Sequence, residues 1–200
     1  MSAIRLRGAT SGTTDVVAAA IAGDGVLTLP SGTGTLATQA FVNTAVAAGG
    51  KVLQVVSTTK TDTFSTSSTS FVDVTGLTVS ITPAATSSKV LVFFDISLNN
   101  NDNFVTGLQL LRGATAIGGG TAVGSRTSAF TAFYTATNGG TIPNAGNFLD
   151  SPASTSAQTY KIQLRIGGGG PLRVNTSNTD ADIAGLYRTS STITVMEISA

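Results

Sequence analysis

Short segments in which apolar and polar residues alternate recur along most of this chain. The clearest are YKIQLRI at 160–166, LTVSIT at 77–82 and TITVMEI at 192–198. Because successive side chains of a β-strand point to opposite faces, this alternation predicts strands with one buried and one solvated face. Strands of this kind are typical of antiparallel sheets.

The composition independently favours an all-β protein. The 200 residues include 33 Thr, 21 Ser and 23 Gly, whereas Glu197 is the single glutamate. Threonine favours strands, glycine and serine favour turns, and glutamate is a good and normally common helix former. The composition therefore indicates strands and turns before any pattern is considered.

The strand pattern divides residues 51–200 into nine candidate strands. They are 51–57, 70–74, 77–82, 89–98, 104–112, 129–135, 160–166, 172–174 and 192–198. Turn signals rich in Gly, Asn and Pro separate them, and this spacing predicts an antiparallel jelly-roll-like sandwich that forms a head, or knob, domain. The run KVLVFF within 89–98 is apolar on both faces, so we expect it at the centre of its sheet or at a subunit interface.

Residues 1–37 differ from the rest because their apolar bursts are too short to build a core. Some of these bursts alternate or cluster like short strands, so we expect an extended N-terminal arm that is buried against copies of itself or a partner; a disordered tail is the alternative. A signal peptide over 16–22 is disfavoured, since the run is short and Asp15 separates it from Arg5 and Arg7. No apolar run approaches the ~18–20 residues that span a bilayer, and we expect no membrane insertion.

Residues 38–50 contain the best candidate helix. Thr38 is a suitable N-cap, and Gly49-Gly50 is a common type of helix end. Helical spacing places five apolar residues on one stripe, which makes them trimer-interface candidates: Phe41, Val42, Ala45, Val46 and Ala48. We expect a short intersubunit helix, because three turns are not stable alone in water; packing against the adjacent domain is the alternative.

The residues that usually carry catalysis are missing. The chain has no His and no Cys, which removes the usual general base, the commonest metal ligand and every thiol mechanism. The nine Asp and Glu197 lie mostly in loops or at strand ends, where solvation is expected, so a glycosidase-like pair of carboxyl groups is disfavoured. We therefore expect no enzyme activity, no metal and no cofactor, and a hydrolytic spike is disfavoured.

Other polar and glycine-rich features have simpler interpretations. NNNDN at 99–103 has one carboxylate, which suits a polar turn better than a Ca²⁺ site, and the glycine strings at 118–120 and 167–170 are interpreted as turns.

Ion pairs are expected for five arginines, namely Arg112, Arg126, Arg165, Arg173 and Arg188. Tyr134, Tyr160 and Tyr187 offer a weak sugar-stacking surface, which half-buried strand positions explain as well. A net charge of +1 without a basic stripe argues against nucleic-acid binding.

The order of three segments resembles structural proteins of tailed bacteriophages. Residues 6–38 end in LTLPSGTGTLAT, which is similar to a string common in phage fibre proteins, and ATQAFVNTAVAA at 37–48 is similar to the helix that often follows it. FVDVTGLTVSITPAATSSKVLVFFDIS at 71–97 resembles the start of β head domains in such proteins. The resemblance implies a virion protein, commonly a homotrimer, with an N-terminal arm docked to the particle and a C-terminal knob outside.

These observations lead to one functional expectation with alternatives. We expect a non-enzymatic structural protein on the surface of the phage particle, a trimeric tail fibre or knob that contacts other virion proteins through residues 1–37 and possesses a head suited to a host-surface glycan. The alternatives are a capsid fibre or decoration protein and a monomeric carbohydrate-binding module. LRGAT occurs at 6–10 and again at 111–115 without matching flanks, so it indicates two strand-to-turn segments and not a duplication.

Overall fold

The computed structural model describes residues 3–7, 13–17, 51–100, 104–134 and 140–200. The chain divides into two compact units, Met1–Ala45 and Val46–Ala200. In the first unit, strands β1 (Ala3–Arg7) and β2 (Thr13–Val17) pair antiparallel, with Ala3 opposite Val17. The predicted helix over 38–50 and its interface candidates (Phe41, Val42, Ala45, Val46 and Ala48) lie outside the described residues.

The second unit contains eleven of the described strands. They are β3 (Val52–Lys60), β4 (Phe64–Thr66), β5 (Val72–Ile81), β6 (Lys89–Asn99), β7 (Val105–Arg112), β8 (Thr115–Ile117), β9 (Thr131–Tyr134), β10 (Ile142–Asp150), β11 (Gln158–Ile166), β12 (Leu172–Val174) and β13 (Ser191–Ile198). The described part of the chain contains no helix. The predicted all-β class is confirmed.

Eight of these strands have jelly-roll order. Sheet I contains β3-β13-β6-β10 and sheet II contains β5-β11-β7-β9, with every neighbouring pair antiparallel. When these eight strands are counted in chain order, the first pairs with the last, the second with the seventh, the third with the sixth and the fourth with the fifth. This is the pairing of one long hairpin that is wound into two sheets. The short β12 joins sheet I beside β6 and carries β4, while β8 joins sheet II as a hairpin with β7.

The core lies between the inner faces of the two sheets. Alternate residues of the long strands point inward and are fully or almost fully buried; the set includes Leu77, Val79, Val92, Ile96, Leu108, Leu110, Ile162, Leu164, Ile193 and Val195. Phe130 packs edge-on against Phe94 and Phe148, with ring centroids 5.4 and 6.4 Å away. This apolar burial, at ~25 cal/mol per Å², is the main force that holds the sandwich together.

The strand predictions failed at four places. The segments 70–74 and 77–82 belong to one strand, β5, because a bulge at Gly76 (φ 81°) lets Val74 and Leu77 both point into the core. Strands β4, β8 and β10 were not predicted. β10 contains Pro143 and Gly146, which weaken its strand pattern, and among the described strands it pairs only with β6, as expected of an edge position.

The second LRGAT segment is the β7–β8 hairpin. β7 ends at Arg112, and β8 begins at Thr115 after a two-residue turn. Gly113 has a φ of 59°, which an L-residue rarely adopts, so glycine is suited to the first turn position. The predicted strand end and turn at Arg112-Gly113 is confirmed.

Candidate functional site

An apolar row crosses the outer side of sheet I. Side chains directly opposite each other in antiparallel strands point to the same face, so the register decides which residues are neighbours. Leu149 of β10 is opposite Leu91 of β6, Leu91 is also opposite Met196 of β13, and Met196 is opposite Val55 of β3. Four apolar side chains therefore span all four long strands of the sheet.

Adjacent residues widen this row into what we call the apolar face. It consists of Leu53, Val55, Leu91, Phe93, Leu149, Met196 and Ile198. Leu53, Val55 and Leu149 are 51%, 54% and 49% exposed, which is high for large apolar residues at the middle or end of strands. The core is formed by the alternate residues of the same strands. Burial in the core therefore does not explain why these outward side chains are apolar.

Charged and hydroxyl residues border the apolar face. Along β6, the outward positions are Lys89, Leu91, Phe93 and Asp95, so the two charges stand on either side of the apolar pair. Beyond the apolar row, Ser57 and Thr194 are neighbours, and their hydroxyl oxygens lie 2.8 Å apart in a hydrogen bond. An apolar centre with a polar margin is the usual anatomy of a protein interface.

The outer side of sheet II is polar and internally paired. Asp73 of β5 accepts hydrogen bonds from Lys161 Nζ at 2.7 Å and Gln163 Nε2 at 2.6 Å, both on β11. These hydrogen bonds hold the pKa of Asp73 below its ordinary value. Ser80 and Thr159 pair in the same way, with 2.8 Å between their oxygens. These polar groups satisfy one another, and among the described residues no row of large apolar side chains crosses this face.

One buried polar cluster connects the two sheets. Asp150, at the end of β10, accepts hydrogen bonds from Arg112 Nη1 of β7 at 2.7 and 2.8 Å and from the Tyr160 hydroxyl of β11 at 2.7 Å. Burial, followed by the interaction with Asp150, raises the pKa of Tyr160 well above its ordinary value. Tyr160 is 0% exposed, so the interpretation of the three tyrosines as one sugar-stacking surface is wrong.

Glu197 corrects a second expectation, that of solvated carboxylates. It is 0% exposed and accepts hydrogen bonds from Gln54 Nε2 at 2.6 Å and from the Ala84 N–H at 2.7 Å. Burial alone would raise the pKa of Glu197, but these bonds and one from Ser88 outweigh it and lower the pKa. Asp150 and Glu197 therefore have structural partners, and these two carboxylates are not solvent-facing.

A loop cavity of about 360 Å³ is lined by residues from 177–188, the described residues that surround it. Arg188 donates to both carboxylate oxygens of Asp180 at 2.9 Å, and Tyr187 is 75% exposed beside them. The predicted ion pairs are thus present for Arg112 and Arg188. Arg173 instead donates to Asn178 Oδ1 and the Pro171 carbonyl.

The described ranges contain neither a cluster of metal-ligating side chains nor a helix that could span a membrane. In those ranges, no three His, Cys, Asp or Glu side chains are grouped as metal ligands would be. The same ranges contain no helix that is long and apolar enough to cross a bilayer. Both glycine strings are in turns or loops: 118–120 follows β8, and 167–170 separates β11 from β12.

Comparison with known proteins does not identify a family for this chain. No family model matches the chain, and no curated protein matches it. A solved structure of T=1 particles derived from infectious bursal virus is similar over 74% of this chain, with 14% sequence identity and a TM-score of 0.40. The matched region spans 36% of the length of that chain.

Proposed function

We propose that this protein is a non-enzymatic structural protein of a tailed-phage particle that associates with copies of itself through the apolar face. The observation that carries the proposal is the apolar row from Leu149 to Val55 across the four long strands of sheet I. Contiguous exposed apolar patches are uncommon on monomers and mark interaction sites. The order of segments at 6–48 and 71–97, which resembles phage fibre proteins, supports the virion part of the proposal.

The proposed occupant of the apolar face is another copy of this chain. The whole outer side of the four strands, ~4.8 Å apart and nine residues long at ~3.3 Å each, measures roughly 500 Å² in projection, and the apolar face is its centre. The uneven side-chain surface brings the area toward the ~800 Å² per partner of a stable interface. The row itself carries no charge, and interfaces between identical subunits are more apolar than those between different proteins. We propose a homotrimer, with three apolar faces turned toward a common axis.

The rest of the proposal concerns attachment and location. Residues 1–37 attach the chain to other virion proteins, and the sandwich is the exposed head, with adhesion to a host-surface glycan as its task in a tail fibre. A capsid fibre or decoration protein has the same architecture and differs only in where it is attached. A labelled antibody on intact virions distinguishes these two locations.

The mass of the purified full-length chain tests self-association. Multi-angle light scattering should give three times 20.0 kDa at micromolar concentration. A clean monomer at that concentration would contradict the proposal and would favour the alternative, a free carbohydrate-binding module. That alternative is supported by one observation, the exposed Tyr187 beside the loop cavity at 177–188.

A further inference from the structure

The outer side of sheet II contains a recess with a floor of small residues. Ala132 of β9 is opposite Gly107 of β7, and Gly107 is opposite Arg165 of β11, so these three form one row on the outer face. The two small residues leave a cavity of about 220 Å³ beside Arg165. Its other lining residues are Phe71, Val105, Thr127, Ala129 and Gly167.

Arg165 is half-buried at the edge of this recess and has an unusual set of partners. Its Nη1 donates to Thr127 Oγ1 at 3.0 Å, and its guanidinium carbon lies 5.7 Å from the centre of the Phe71 ring. Among the described residues no carboxylate pairs with it, whereas Arg112 and Arg188 each pair with an aspartate. A guanidinium has five N–H donors, so most donors of Arg165 remain available to an incoming acceptor.

The wall of the recess is held in place before any ligand arrives. The loop that contains Thr127 is tied to β7 by a hydrogen bond of 2.8 Å from Gln109 Nε2 to the Ser128 carbonyl. The next residues are anchored by a hydrogen bond of 2.7 Å from the Phe130 N–H to the Leu108 carbonyl, and the partly buried Phe130 ring packs against the core. A fixed wall lowers the entropy cost of binding.

Gly107 allows Arg165 and Phe71 to approach each other. A Cβ at position 107 would lie 3.2 Å from both Arg165 Cγ and Phe71 Cζ, which is tighter than ordinary contact. Glycine therefore permits the aromatic ring and the guanidinium to share one side of the recess. The result is a cation, a hydroxyl and an apolar wall around a space of the size of one small ring.

We propose that this recess binds a carboxylate attached to a ring, as in a hexuronic acid unit of a polysaccharide. The free N–H groups of Arg165 bind the carboxylate in the two-pronged manner that guanidinium favours. The Thr127 hydroxyl, which accepts from Arg165, still has its own proton to donate to a ring oxygen. Phe71, Val105 and Ala132 contact the apolar side of the ring. The site goes beyond the proposed self-association and lies on the other sheet.

Saturation-transfer NMR on the full-length protein tests this site with glucuronate, glucose and acetate as probes. We expect millimolar binding of glucuronate, with Kd near ~1 mM, and at least about tenfold weaker binding of glucose and of acetate. Arg165→Gln should weaken glucuronate binding by about tenfold or more, because it removes the charged donor. The matched control is Arg126→Gln, which removes an exposed arginine from the same loop outside the recess.

Three outcomes would overturn the proposal. The first is the absence of glucuronate binding at about 20 mM, twenty times the expected Kd. The second is equal binding of glucuronate and glucose or of glucuronate and acetate, which would remove the role of the carboxylate or of the ring. The third is unchanged affinity in Arg165→Gln. If Arg165→Gln lowers the urea midpoint, Thr127→Val is used as the test variant instead. An unchanged glucuronate affinity in Thr127→Val then contradicts the proposal, and a severalfold loss of affinity supports the proposal.

Discussion

The two outer faces of the sandwich differ although their strands show the same alternation. On sheet II, the outward positions carry groups that satisfy each other, as Asp73 does with Lys161 and Gln163. On sheet I, the outward positions of Leu91, Met196 and Val55 are apolar and lie opposite one another in the register. The contrast is the reason that we propose self-association through sheet I and not through sheet II.

An aspartate substituted into the apolar face should have the largest effect, which is on self-association. Leu91→Asp puts a charge in the middle of the apolar row, and burial of an unpaired charge in an interface is strongly unfavourable. We expect the association constant to fall by at least ~100-fold, or about 2.7 kcal/mol, with the fold retained. Sedimentation velocity measures the change. Ser80→Asp on sheet II is the control, and an equal loss in both variants would contradict the difference between the faces.

Alanine substitutions at two glycines, one in each sheet, should have the next largest effect, which is on stability. A Cβ at Gly146 would lie 2.5 Å from Phe94 Cζ and 2.8 Å from Phe130 Cε1, whose rings are packed in the core. At Gly107 the nearest atoms are at 3.2 Å and belong to side chains at the surface. We expect Gly146→Ala to lower the free energy of unfolding by ~1–3 kcal/mol and Gly107→Ala by less than ~1 kcal/mol. Urea denaturation compares them, and the reverse order would be inconsistent with this packing.

Removal of the ion pair between Asp73 and Lys161 on sheet II should have the smallest effect on stability, and this effect should depend on pH. Because the pKa of Asp73 is lowered in the folded state, its contribution to stability is present above the ordinary value of 3.8 and is lost as pH falls through the folded-state pKa. The carboxylate is 52% exposed, so we expect Asp73→Asn to cost less than ~1 kcal/mol at pH 7. Urea midpoints at several pH values should show the difference shrinking as the pH falls below 3.8. A difference that stays constant with pH would refute the electrostatic explanation.

The sequence predicted the strands whose alternation is undisturbed and missed those that carry breakers. β11, β12 and β13 are close to their predicted ranges, since their inward positions are large and apolar apart from Gln158, Ser191 and Glu197. β10 has Asn144 and Gly146 at inward positions, so it lacks the pattern. Gly146 is there because Phe94 and Phe130 occupy the space of its side chain, and that contact is not visible from local sequence.

The candidate surface was only partly foreseeable. KVLVFF, apolar on both faces, correctly indicated that β6 is central in its sheet, and it also raised the possibility of an interface, which stays a prediction. Leu149 belongs to the unpredicted β10, and Val55 joins the row through a register with β13 that spans about 140 residues of chain. The burial of Glu197 likewise depends on Gln54 and Ala84, which are distant in sequence. Such sites follow from strand pairing, which alternation alone does not specify.

The pairing of the first and last long strands of the jelly roll has a consequence for chain connectivity. Val52 is opposite Ile198, and the Ser199 N–H donates to the Lys51 carbonyl at 2.7 Å, so the sandwich begins and ends at one corner. A short linker from Ala200 back to Lys51 could therefore close the sandwich into a ring. New termini could then be opened in an exposed loop such as 120–126, which gives a circular permutant with the same two faces.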